Sequence, residues 1–215
     1  MTCERRGLLI VFEGIDGTGK STQVRLLAER LRAAGLPVVT TREPTDGQYG
    51  RRIRELFTNR ASVTPGEELA LFIADRREHV DQVIAPALRH GTIVLTDRYY
   101  FSTAAYQGAL GHDPRAIIAA NEEFAPVPDL VLLLAAAPAV GVHRVQHSRQ
   151  ETLNDFEQEQ GLARVAAIFD GFRQPFIRRL DGARSIEVVQ AAVWAAVAGL
   201  LREKGFAMTG DNEGC

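Results

Sequence analysis

Apolar and polar positions along this chain follow two alternating rhythms. Leu8-Leu9-Ile10-Val11-Phe12 is a short continuous apolar run ending at Glu13-Gly14. Such a run reads as a strand buried on both faces, as in a parallel sheet. Past the glycine-rich stretch 14–19 the spacing turns helical, with Val24, Leu27, Ala28 and Leu31 on one face and Gly35 as a stop. Pro37-Val38-Val39-Thr40-Thr41 predicts a second strand, followed by a turn at Glu43-Pro44. Strand, helix and strand in succession make a βαβ unit.

Residues 67–90 read as one long helix whose core stripe is Leu69, Ile73, Val80, Ile84 and Leu88. Pro86 is expected to kink or break it near its end. Thr92-Ile93-Val94-Leu95-Thr96 predicts a third buried strand, with Asp97-Arg98 at its C-terminal end. Helices over 102–110 and 114–124 follow, and Pro126-Val127-Pro128 introduces a fourth strand over 130–134. Another helix starts at Val140. Residues 146–160 are polar without an apolar period and read as a mobile loop or lid. Residues 162–180 are expected to be helical, 185–189 a short strand, and the last helix runs to about Lys204. The tail 208–215 is expected to be disordered. Strands alternate with helices throughout, so residues 1–207 are expected to form one doubly wound α/β domain.

Composition narrows the function classes. The chain has 215 residues, 46% of them hydrophobic and 24% charged, which is ordinary globular usage and enough to bury a core. A formal net charge of −2 gives no global field for nucleic acid or an anionic membrane, so phosphate recognition has to be local. Two cysteines, Cys3 and Cys215, support no disulfide framework or zinc pattern. The apolar run after the basic N-terminus is too short for a signal peptide, and no run approaches the roughly 20 residues of a membrane helix. A cytoplasmic enzyme without nucleic-acid or membrane partners is expected.

Gly14-Ile15-Asp16-Gly17-Thr18-Gly19-Lys20-Ser21 fits the pattern G-x-x-x-x-G-K-[ST], between a buried strand and an amphipathic helix. In that context the glycines let backbone N–H groups turn inward around a polyphosphate, and the helix N-terminus points its dipole at the same anion. Lys20 supplies charge to the β- and γ-phosphates and the Ser21 hydroxyl can ligate Mg²⁺. Three classes of phosphate-loop protein then compete. A guanine switch would carry an Asn/Thr-Lys-x-Asp element, which this chain lacks. A motor would carry an acidic pair after an apolar strand, where this chain has Thr96-Asp97-Arg98. An arginine there suits a second anionic substrate, which favours a nucleoside monophosphate kinase.

The chain also resembles thymidylate kinases. Residues 12–22, from Phe12 to Thr22, look like that family's phosphate loop. Thr41-Arg42-Glu43-Pro44, Asp97-Arg98-Tyr99 and Ser102-Thr103-Ala104-Ala105-Tyr106-Gln107-Gly108 look like its next motifs, in order and at matching spacing. The resemblance implies a five-stranded parallel sheet of order 2-3-1-4-5. It implies γ-phosphoryl transfer from ATP to dTMP with Mg²⁺, in dTTP biosynthesis, usually in a homodimer.

On the acceptor side, Arg42 and Arg98 end two strands on the edge where α/β proteins bind ligands, and both can grip a phosphate bidentately. The alternative for each is a plain salt bridge. Phe72 and Arg76 share a helix face. By resemblance Phe72 stacks on thymine and Arg76 bonds a base carbonyl, the alternative for Phe72 being core packing. Thr103 and Gln107, again four apart, can read the base edge; Ser102 joins them, and Tyr106 can exclude a ribose 2′-hydroxyl. The resemblance places Asp16 at the acceptor sugar or an arginine, and Asp97 at magnesium or its waters, with Glu13 in the same network.

The loop has no basic residue between Gly14 and Gly19, so a further cation has to come from elsewhere. Arg144 and Arg149, flanking the polar stretch, are the candidates; in the bacterial branch of the resembled family the lid supplies such arginines. The family commonly continues Arg-Glu-Pro with Gly-Gly-Thr, where this chain has Thr45-Asp46-Gly47. That departure leaves open a kinase of another nucleoside or deoxynucleoside monophosphate, or a catalytically silent nucleotide-binding regulator. His79, His90 and His112 are expected at the surface and Trp194 in the core.

Overall fold

A computed structural model describes residues 7–57, 63–149 and 159–206. The central strand β1 (Leu9–Glu13) is buried at every position. It lies between β3 (Ile93–Asp97) and β4 (Leu130–Ala135), with β2 (Val38–Arg42) outside β3 and β5 (Ile177–Asp181) outside β4. All four pairings are parallel, giving the expected order 2-3-1-4-5.

The continuous apolar runs are explained by helices on both faces. Alternate residues serve alternate layers, because successive side chains on a strand point to opposite sides. Ile10, Phe12, Ile93, Leu95, Leu132 and Leu134 pack on α1 (Lys20–Ala33) and α9 (Ile186–Glu203). Leu9, Val11, Val94, Val131 and Leu133 face the opposite layer. There they meet side chains from α5 (Tyr100–Gly108), α6 (Pro114–Glu122) and α8 (Glu159–Gly171), and from the segment around Val80–Leu88. Among the described residues no helix is long and apolar enough to cross a membrane.

Several expectations need correction. The predicted long helix is divided: α3 (Pro65–His79) passes through a π-helical turn at Val80–Ile84 into α4 (Ala85–Arg89). Pro86 has no N–H to give the preceding turn, so the widened turn takes up the mismatch before the proline is reached. The helix expected over 162–180 stops at Gly171, and the fifth strand is Ile177–Asp181 rather than 185–189. Its sequence, Ile-Arg-Arg-Leu-Asp, gives no apolar run because this edge strand is only partly covered. Ser185 caps α9 instead, its hydroxyl accepting the Val188 N–H, and Ile186–Val189 form the first helical turn. An unanticipated helix, α2 (Gln48–Leu56), follows the Glu43-Pro44 turn. The helix α7 (Pro138–Arg149) runs into the stretch expected as a lid; lid residues 150–158 and the tail 208–215 lie outside the described residues.

The topology gathers one edge of the sheet. Gly14 follows β1, Arg42 closes β2, Asp97 closes β3, Ala136 follows β4 and Gly182 follows β5. Ligands of open α/β sheets bind along this C-terminal edge. Leu27, fully buried between α1 and the sheet, supports the helix that carries the phosphate loop's end. Leu27→Ala is expected to lower unfolding free energy by about 2–5 kcal/mol, read from urea denaturation.

Candidate active site

Close backbone approach shapes the phosphate loop. Gly14 has φ +135°, and a Cβ there would meet the Leu134 carbonyl oxygen at 2.4 Å. Gly17 has φ +77°, and a Cβ there would lie 2.3 Å from the Gly141 carbonyl oxygen of α7. Both positions demand glycine for conformation and for space. Ile15 is buried, and its carbonyl accepts from Thr18 Oγ1 and from Lys20 Nζ, each at 2.9 Å. Lys20 is thus held curled inside the loop. Burial, reinforced by the Arg98 guanidinium, pushes its ammonium down to about 8. Gly19 is the residue before α1, and Lys20, Ser21 and Thr22 form that helix's first turn, so their amides face the loop's centre.

At the end of β3, the Ser21 hydroxyl donates to Asp97 Oδ2. Asp97 Oδ1 is buried with no hydrogen-bond partner among the described residues. A hydroxyl and a carboxylate with a spare lone pair form a hard oxygen set that fits Mg²⁺, which keeps waters and phosphate oxygens as its remaining ligands.

Arg98 has φ +75°, a conformation that non-glycine residues hold only when their surroundings over-determine it. Its N–H donates to the Phe12 carbonyl at 2.9 Å, and its carbonyl accepts from Thr96 Oγ1 at 2.9 Å. The next amide, of Tyr99, donates to Glu13 Oε1 at 2.9 Å. This turn sends the guanidinium back over the loop. It reaches Asp16 Oδ1 at 2.6 Å, Ser102 Oγ at 2.9 Å, the Gly14 carbonyl at 3.3 Å and the Tyr106 hydroxyl at 3.4 Å. Tyr106 in turn donates to Asp16 Oδ2 at 2.8 Å. Burial opposes the charge on Asp16, but Arg98 and Lys20 outweigh it and hold the carboxyl well below its usual range.

The remaining acceptor-side candidates lie on three elements. Arg42 is exposed and pairs with Asp46 at 2.9 Å; Arg54 of α2 reaches the same carboxylate oxygen at 3.0 Å. Phe72 is half-buried and belongs to neither core cluster. Arg76, four residues on, is fully buried. It donates to Asn121 Oδ1 at 2.8 Å, to Thr103 Oγ1 at 3.0 Å and to Glu43 Oε2. Its Nε has no partner among the described residues, and neither does either amide atom of buried Gln107. Gln107 stands one turn beyond Thr103 on α5. Buried polar atoms left without protein partners, on residues joined through Thr103, are candidates to meet a polar ligand edge.

The two arginines named for the lid divide. Arg144 donates to the Gly182, Ala183 and Gly17 carbonyls at 2.7, 3.1 and 3.4 Å. It braces α7 against the phosphate loop and the β5–α9 connection. Arg149 closes α7, and its side chain lies outside what the structure describes.

Comparison with known proteins bears on this geometry. The family model described as thymidylate kinase matches residues 12–193. The chain is 52% identical to a thymidylate kinase of Desulfotalea psychrophila over 91% of its own length and 96% of that protein's. It is 49% identical to one from Akkermansia muciniphila, over 91% of this chain and 94% of that one. The chain belongs to the thymidylate kinase family. The match spans the loop, both strand-end arginines and the polar residues of α5.

Sequence reasoning missed part of this site. His79 was expected at the surface, yet it is 3% exposed and bonded on both ring nitrogens. His90 is exposed as expected, and Trp194 is half-buried with Arg30 stacked 3.7 Å from its ring centroid. Asn121 was missed too; it lies three residues past Ile118 on the buried face of α6, a spacing that could have flagged it. Glu13 proves central: its carboxylate is inaccessible to water and accepts the Tyr99 and Ser102 amides, at 2.9 and 3.0 Å, and the Ser102 hydroxyl.

Burial raises the Glu13 carboxyl to about 7. Between pH 4.5 and about 7 the folded protein therefore keeps a proton that the unfolded chain releases, so this group's contribution to stability declines as pH rises through that window. Glu13→Gln removes the titration. Urea unfolding at pH 5 and pH 8 is expected to show wild type losing stability relative to that variant by on the order of 2 kcal/mol. A difference that grows in wild type's favour with pH would reverse the assignment.

Proposed function

We propose that this chain transfers the γ-phosphoryl group of ATP to dTMP, forming ADP and dTDP, and so serves dTTP biosynthesis. The observation that carries the reading is Arg98. One guanidinium touches both the phosphate loop, at Gly14 and Asp16, and the acceptor helix, at Ser102 and Tyr106. A donor in the loop and an acceptor on α5 thus meet across a single positive charge.

Each residue then has a task. The loop amides of Gly14, Ile15, Asp16, Gly17, Thr18 and Gly19, with those of the first α1 turn, cradle the donor phosphates. Lys20 leaves the Ile15 carbonyl for the β- and γ-phosphates. Ser21 and Asp97 would hold Mg²⁺, which would supply positive charge to offset that of the donor phosphates. Arg42 and Arg98 grip the acceptor phosphate and offset its repulsion of the incoming group. An acceptor phosphate oxygen attacks the γ-phosphorus while the bond to the bridging β–γ oxygen breaks. No base is needed, because a phosphate monoester is largely deprotonated near neutral pH. Phe72 stacks on the base, Arg76 and Gln107 read its carbonyl and imide edge beside Thr103, and Tyr106 with Asp16 lies at the sugar. Arg149 is the candidate for the lid's cation; Arg144 acts by bracing the loop.

The family membership supports a homodimer, and the composition supports a cytoplasmic protein without nucleic-acid or membrane partners. A second reading has one observation on its side: Asp46, part of the altered segment, already pairs with Arg42. That reading is a kinase of another nucleoside monophosphate, or a silent nucleotide-binding regulator.

A coupled assay of ADP release across the nucleoside and deoxynucleoside monophosphates separates these readings. dTMP is expected to be preferred, Lys20→Ala to lower kcat at least a hundredfold with the fold intact, and no turnover on any acceptor would favour the regulator. Calorimetry tests the loop independently. A triphosphate raises the depressed Lys20 pKa back toward its ordinary value, so at pH 8.5 ATP binding should take up a substantial fraction of a proton. Titrations in buffers of different ionisation enthalpy read that uptake, which Lys20→Ala should abolish.

A further inference from the structure

We propose that His79 is a positioning residue for the acceptor base: it grips Glu43, and through Glu43 it fixes the Arg76 guanidinium that reads the base. The proposal rests on the reading of Arg76 and Gln107 as the base-recognising pair.

Glu43 is buried at the turn that leaves β2, with one side chain on each carboxylate oxygen. Oε2 takes the Arg76 Nη2, and Oε1 takes His79 Nδ1 at 2.9 Å. The other ring nitrogen, Nε2, lies 2.7 Å from Thr41 Oγ1. With the ring neutral, Nδ1–H donates to Glu43 and Nε2 accepts the Thr41 hydroxyl. Burial opposes the charge on Glu43, but Arg76 and then His79 outweigh it and keep the carboxyl below its usual range, so the clamp holds a carboxylate.

Four elements meet in this chain of contacts. Thr41 is on β2, one residue before Arg42; His79 ends α3; Arg76 is one turn earlier on the same helix. From Arg76 the contacts continue to Thr103 on α5 and Asn121 on α6. Arg76 cannot orient itself, because a guanidinium rotates freely about its stem unless its planar fork is fixed. Glu43 and Thr103 fix Nη2 and Asn121 fixes Nη1, which leaves Nε free. Glu43 could itself swing on its side-chain torsions, and the His79 imidazole holds its second oxygen. Removing that contact would let the carboxylate rotate and carry the Arg76 fork with it. The expected signature falls on acceptor recognition and not on the donor, since none of these contacts touches residues 14–21.

Two isosteres separate positioning from packing. His79→Asn places an amide where Nδ1 was, keeping a donor for Glu43 and giving up Thr41. His79→Gln reaches the Nε2 position, keeping Thr41 and giving up Glu43. Each keeps one of two hydrogen bonds, so a merely structural histidine would make the two variants alike. Steady-state kinetics are expected to show the Gln variant raising KM for dTMP about tenfold and the Asn variant less than threefold. KM for ATP should stay within twofold in both, and thermal melting should confirm that both are folded. Gln107→Ala, which breaks no hydrogen bond seen in the structure, is the control for the base site and should raise KM for dTMP. If it does, equal responses of the two His79 variants, or equal shifts in KM for ATP and dTMP, overturn the proposal. If Gln107→Ala leaves KM for dTMP unchanged, the base-site reading fails and the proposal falls with it.

Discussion

A carboxylate that never meets water joins the two halves of this site. Glu13 ends the central strand one residue before the phosphate loop, and it accepts the first amides of α5, the helix that carries Ser102, Thr103, Tyr106 and Gln107. A helix start leaves amides without intrahelical partners, and α5 has no capping side chain of its own. The cap comes from another strand. Register between loop and acceptor helix is therefore set by one residue at the end of a buried strand, and the left-handed turn at Arg98 follows from the same contacts. Burial is what makes the arrangement rigid: a buried carboxyl left without these donors would be expensive, so Glu13 holds both amides in place, although that of Ser102 also reaches the Tyr99 carbonyl at 3.1 Å.

The same logic runs through the charges. Each arginine toward the acceptor already has a carboxylate: Arg98 has Asp16, Arg76 has Glu43, and Arg42 has Asp46. These pairs differ in burial and hence in what they do. Arg76 and Glu43 are almost wholly enclosed, so breaking their pair would strand two charges; this pair is architecture. Arg98 and Asp16 are partly open, so the guanidinium is not sealed from solvent. Arg42 and Asp46 are exposed, and solvent screens such a pair. Rigidity of these pairs increases from Arg42 at the exposed rim to Arg76 in the interior.

What the sequence made legible followed from burial on both faces. Strands β1, β3 and β4 are continuous apolar runs because helices cover both sides, and the loop between β1 and α1 is fixed by glycines that no other residue can replace. Strand β5 was misplaced because it is an edge: Arg178 is exposed and Arg179 turns its head to Asp170 and the Phe169 carbonyl at the end of α8, so its pattern carries no run of apolar residues. His79 was misread for a related reason. A histidine among Arg77, Glu78 and Asp81 looks solvated in one dimension, and only the approach of β2 and the Glu43 turn encloses it. Local spacing reports a residue's own helix face, while these contacts are set by elements 36 and 38 residues away.

The altered segment after Glu43-Pro44 shows how such a departure is accommodated. Thr45 donates through both its amide and its hydroxyl to Asp75, at 2.9 and 2.6 Å, and its oxygen accepts the Gly47 amide at 3.0 Å. Asp75 is the residue before Arg76. The segment is thus tied to α3 beside the guanidinium that Glu43 also holds, so two successive helix residues anchor the two ends of one short turn. Gly50 completes it, because a Cβ there would sit 1.9 Å from the Thr45 carbonyl oxygen. A threonine that binds α3 replaces conformational freedom with hydrogen bonds, and Asp46 is left at the tip facing Arg42. In this chain the turn after Glu43-Pro44 is built and charged rather than open: its backbone is tied to α3, and only its tip carries an exposed ion pair.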